Sequence, residues 1–96
     1  MQMNNLITQS KNFHGESKLL LREIKSFLEE VSAKHPQAKH FHLVHALVFK
    51  SSMTEAETLA VNDQLSQVYR ETGFTVLGGD TSSGNELNIF ISAILY

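Results

Sequence analysis

Residues 41–49 read Phe-His-Leu-Val-His-Ala-Leu-Val-Phe, a run with no charged group, proline or glycine, and its interpretation decides the fold. Bounded by Pro36 on one side and Ser51-Ser52 on the other, it is too short for a helix, and its β-branched and aromatic content marks a strand. Alternation puts Phe41, Leu43, His45, Leu47 and Phe49 on one face and His42, Val44, Ala46 and Val48 on the other. Upstream, residues 16–34 carry Leu20, Ile24, Phe27, Leu28 and Val31 at helical spacing, and His35-Pro36 ends that helix because the residue before proline leaves the helical region. Downstream, Thr54 and Glu57 have capping-box spacing. The helix they open runs to about Thr72, with Val61, Leu65, Val68 and Tyr69 as its buried stripe and Gly73 as its left-handed stop.

A short strand Phe74–Leu77, a loop at 78–86 (GGDTSSGNE) and a long strand Leu87–Tyr96 complete the chain, while the polar residues 1–15 read as a lead-in. The expected fold is a single two-layer α/β domain over residues 1–96, with element order α-β-α-β-β. Both helices lie on one face of a three-stranded mixed sheet. The strand–helix–strand unit is parallel and right-handed, and the last strand returns antiparallel between the other two.

Composition narrows the function. The chain has 96 residues, 42% hydrophobic, enough for one core that hides ~65% of the unfolded surface. The absence of cysteine excludes a disulfide scaffold and thiolate chemistry. A net charge of −2 with 19% charged residues gives no electrostatic drive toward nucleic acid or an anionic membrane. No apolar run approaches a membrane span and the N-terminus is too polar for a signal peptide, so the expected location is the cytoplasm.

Catalytic groups are scarce. Four of the five histidines (His35, His40, His42, His45) fall within one short stretch, with His40 and His42 on one strand face ~7 Å apart. No acidic residue between Glu30 and Glu55 is available to orient them on a metal, so no metal site is assigned. No serine occupies a G-x-S-x-G elbow, the only aspartates are Asp63 and Asp80, and no catalytic residue is assigned. The one distinctive local feature is the glycine-rich stretch. Gly78 and Gly79 allow amides to turn inward onto an anion, with Asp80, Thr81 and Ser82 beside them, although the same residues equally close local turns with their own side chains.

The block Phe41–Leu95 resembles part of the ATP-binding N-terminal domain of the AIR synthase/thiamine-monophosphate kinase family. The matching pieces are Leu43–Phe49, the helix 54–72, the strand ending in Gly78-Gly79-Asp80-Thr81, and Leu87–Leu95. The resemblance implies magnesium and nucleotide phosphates held with the help of Asp80. The family's earlier aspartate-rich segments have no counterpart, since residues 1–40 contain no Asp. It therefore implies the scaffold of that domain without the kinase.

Two functions follow. The first is a non-catalytic interaction or regulatory module that partners itself, as a homodimer or higher oligomer, and has no cofactor; another protein is a further partner it could serve. Its interface would be the sheet face opposite the helices: Val44, Ala46, Val48, Phe90, Ile94 and Tyr96, with His42 at one end. The alternative is a phosphate- or nucleotide-binding protein, with magnesium, using Gly78–Gly84. A rival account of the apolar face covers it with Met1, Met3, Leu6 and Ile7 of the lead-in.

Overall fold

The computed structural model describes residues 6–96, so the part of the lead-in at 1–5, including Met1 and Met3, lies outside the described residues. The elements are β1 (Ile7–His14), α1 (Ser17–Lys34), β2 (Phe41–Lys50), α2 (Glu55–Thr72), β3 (Thr75–Gly84) and β4 (Asn88–Leu95). The four strands form one mixed sheet in the order β1-β4-β2-β3, with β1 and β2 both antiparallel to β4 and β2 parallel to β3.

The expected three-stranded sheet with order α-β-α-β-β is therefore wrong on strand number and element order; the chain is β-α-β-α-β-β. The missed strand is β1, within the supposed lead-in. Its inward positions are Ile7, Gln9, Lys11 and Phe13, so alternation is broken by two polar residues and only Phe13 is fully buried. The sheet order also differs. The C-terminal strand is internal, but its neighbours are β1 and β2, and β2 rather than β4 contacts β3. The parallel orientation of β2 and β3 and the antiparallel return by β4 are as expected, but the direct β2–β3 pairing is not, since β4 was expected between them.

Apolar periodicity explains the core. Leu20, Ile24, Leu28 and Val31 of α1 and Val61, Leu65, Val68 and Tyr69 of α2 are buried against Leu43, Leu47 and Phe49 of β2 and Ile89, Ile91, Ala93 and Leu95 of β4. Each such large side chain contributes about 1.5–3 kcal/mol by leaving water. Phe13 ties β1 to this core, meeting the Phe27 ring edge to face at 5.6 Å. The α2 N-terminus is closed by the expected reciprocal pair: the Glu57 amide donates to Thr54 Oγ1 at 3.1 Å and the Thr54 amide to Glu57 Oε1 at 2.9 Å. These bonds hold the Glu57 carboxyl below its usual range, the Thr54 amide contributing most. Gly73 stops the helix at φ 79°, a conformation that favours glycine.

Candidate functional site

The pairing registers place four rows of residues across the face opposite the helices. From β1 through β4 and β2 to β3 they are Thr8–Ile94–His42–Thr75, Ser10–Ser92–Val44–Gly78, Asn12–Phe90–Ala46–Asp80 and His14–Asn88–Val48–Ser82. No element among the described residues covers this face. Phe90 is 42% exposed, Ala46 is exposed, and Val44, Val48, Ile94 and Tyr96 are half-buried. All six residues expected at an interface thus share one open surface, with β1 extending it by polar side chains rather than folding over it. At its centre, Phe90 stands beside Ala46, a large knob next to a small side chain.

The glycine-rich stretch is not a loop. Residues 78–84 belong to β3 and pair with Val44–Lys50. None of Gly78, Gly79 or Gly84 has a positive φ; the positive-φ glycines among the described residues are Gly15 and Gly73. An inward-turning amide cradle of the expected kind is therefore not formed there. Strand alternation separates the five candidate ligand residues: Gly78, Asp80 and Ser82 lie on the open outer face, and Gly79 and Thr81 on the opposite side of the strand. Asp80 Oδ1 accepts the Thr81 amide at 3.0 Å.

Every residue of β3 through Ser83 is exposed, because the helices stop short of it, and its outer edge is unpaired. Gly79 is required by close approach. A Cβ there would fall 2.5 Å from Cδ2 of His45 and closer still to the His45 main-chain oxygen. That imidazole in turn bonds through Nδ1 to the Tyr69 hydroxyl at 2.8 Å, and burial pushes the ring's pKa down and the Tyr69 phenol's up.

At the other end of β2, His40, His42 and Tyr96 form a ring cluster. Tyr96 stacks on His40 at 4.8 Å and on His42 at 5.5 Å, and the two parallel imidazoles are 6.4 Å apart. His42 Nδ1 is buried without a hydrogen-bond partner. The histidine pair and the place of Tyr96 on the same face were legible from alternation; the stacking of the three rings was not, since spacing does not show side-chain packing. Among the described residues no three of His, Cys, Asp or Glu converge as a metal-ligand set. No helix among the described residues is long and apolar enough to cross a membrane.

No protein-family model and no curated protein matches the chain. Solved structures share its fold. Thiamine monophosphate kinase from Aquifex aeolicus superposes with a TM-score of 0.74 at 10% identity, covering 94% of this chain and 33% of that one. HypE in a HypE–HypF complex gives 0.71 at 16% identity over 99% of this chain and 34% of that one. HypE in complex with ATP gives 0.69 at 15% identity over 94% and 30%. The chain thus spans about a third of the length of these proteins, and the likeness takes in its first half as well as residues 41–95. It rests on shape rather than on the Gly-Gly-Asp-Thr motif, and what it establishes is that the chain has the fold found within part of thiamine monophosphate kinase and HypE.

Proposed function

We propose that the protein is a non-catalytic module that self-associates as a twofold dimer through the outer face of its sheet. The open patch of Val44, Ala46, Val48, Phe90, Ile94 and Tyr96 carries this reading, because a soluble domain rarely leaves such a patch in water. A second copy fits it on three grounds. The β4–β2 strip of the face is uncharged, with Asp80 of β3 at its margin. Phe90 and Ala46 are neighbours, so a twofold axis can seat each Phe90 over the other copy's Ala46. Four strands at standard spacing span roughly 500 Å² in projection. The standing side chains raise that toward the ~600–800 Å² per partner that a specific dimer buries. Light scattering after size exclusion tests it: two chains per particle at tens of micromolar support the reading, and one chain refutes it.

A second reading is a phosphate- or nucleotide-binding domain, with magnesium, using residues 78–84. The fold likeness favours it, since HypE has been solved with ATP and AaThiL with AMPPCP and TMP. In this chain Asp80 and Ser82, on one side of β3, would hold a magnesium-bound phosphate. Thermal-shift measurement with ATP, ADP and magnesium tests it, and no shift with any of them removes it.

A further inference from the structure

One corner of the outer face gathers two histidines, the cluster of His40, His42 and Tyr96 where β2 begins and β4 ends. No carboxylate among the described residues lies within 4.0 Å of either imidazole, the only histidine so paired being His14 with Glu86. The Tyr96 main-chain oxygen accepts the amides of Lys39 and His40 at 2.9 and 2.8 Å and serves the backbone rather than the rings. Lys39 lines the same surface hollow as His40 and Tyr96, adding a cation. Thr75, opposite His42 on β3, and Ile94, opposite it on β4, are uncharged. The other ionisable groups on this face are Lys50 and His14 at its far end and Asp80, which is four positions along β2 from His42, about 13 Å away.

We propose that this cluster makes self-association pH-dependent: the dimer forms when His40 and His42 are neutral and separates when they take up protons. The inference rests on the dimer proposed above. Neutral stacked rings continue the apolar face and can be covered by a second copy. Two imidazolium ions 6.4 Å apart, with Lys39 lining the hollow beside His40, outnumber the one main-chain carboxylate that Tyr96 carries in this chain. They have no Asp or Glu within 4.0 Å, repel one another and resist losing water. A twofold interface doubles the effect, since each copy brings its own cluster. Histidine is in general the side chain that can change charge between pH 5 and 8, the range within which the test falls.

Sedimentation velocity of the full chain at pH 7.5 and 5.5, with circular dichroism to confirm folding at both, tests this. The expected result is a dimer dissociation constant at least tenfold higher at pH 5.5. In the His40→Gln/His42→Gln double variant that ratio should fall to about two or less, while His35→Gln, away from the face, should keep the wild-type ratio. Should the double variant fail to fold, His42→Phe, which keeps a ring on Tyr96, serves instead and should at least halve the ratio. A wild-type dimer equally tight at both pH values overturns the pH device and leaves the dimer standing. So does a double variant, or His42→Phe in its place, with the full wild-type ratio. A monomer at pH 7.5 overturns both.

Discussion

The hydroxyls of Ser10 and Ser92 meet at 2.8 Å across the β1–β4 pair, on the outer face of the sheet. One hydroxyl donates and the other accepts, so of the two serine protons beside Val44 only one is left to place when the face is covered. Neither serine brings a charge to the face, and its apolar residues should dominate association. Phe90→Lys or Val48→Lys should abolish the dimer, giving monomer or insoluble protein. Phe90 is 42% exposed, so covering the exposed part of its side chain is worth about 1 kcal/mol and occurs twice in a twofold dimer. With the cost of burying a lysine charge added, Phe90→Lys should raise the dissociation constant at least about tenfold. A Phe90→Lys variant that still runs as a dimer would place the interface elsewhere.

Asp80 separates the two functional readings. Its carboxylate is exposed and bonds only the adjacent Thr81 amide, so Asp80→Asn should change stability by about 0.5 kcal/mol or less. If magnesium and nucleotide bind at β3, the wild type at a hundredfold excess over the dissociation constant gains about 2.7 kcal/mol, several degrees in melting temperature, and Asp80→Asn loses most of that gain. Equal shifts in both proteins would take Asp80 out of the site.

Much of this fold could be read from residue spacing, and what could not has physical causes. Both helices, the Thr54–Glu57 cap, the Gly73 stop and the two-sided character of β2 and β4 follow from local periodicity. β1 was lost because only Ile7 and Phe13 mark its inward face. β3 was taken for a loop from Gly78 onward because Gly, Ser and Asp are turn formers and no side chain there is buried, leaving no alternation to detect. Its pairing comes from the backbone of β2, a tertiary partner that local sequence cannot show. The six outer-face residues were legible because alternation on β2 and β4 fixes them, whatever the strand order.

Gly79 illustrates the difference between a glycine that bends a chain and one that admits a neighbour. Its backbone is extended, and the position is filled by the ring and main chain of His45. Gly79→Ala should destabilise the fold by about 1–3 kcal/mol through overpacking, because the main-chain neighbour cannot swing aside. Gly78→Ala, with nothing within 4 Å, is the matched control and should be near neutral. Equal denaturation midpoints for the two would show that β3 sits farther from His45.

The His45–Tyr69 pair should give the folded domain its own pH dependence, separate from association. Burial disfavours the His45 imidazolium, so the folded chain holds that proton less tightly than the unfolded chain, in which histidine has its ordinary value of 6.5. The folded pKa is depressed. The stability it contributes is therefore complete above about pH 6.5 and lost as pH falls through that value toward the folded one. The Tyr69 hydroxyl, raised by burial, stays protonated throughout and keeps its 2.8 Å bond to Nδ1. Tyr69→Phe removes that partner and should cost about 1 kcal/mol at pH 7.5. In the His40→Gln/His42→Gln background, where the outer cluster no longer titrates, urea unfolding should show lower stability at pH 5 than at pH 7.5. Adding His45→Gln should flatten that slope. An unchanged slope without His45 would assign the acid sensitivity to another group.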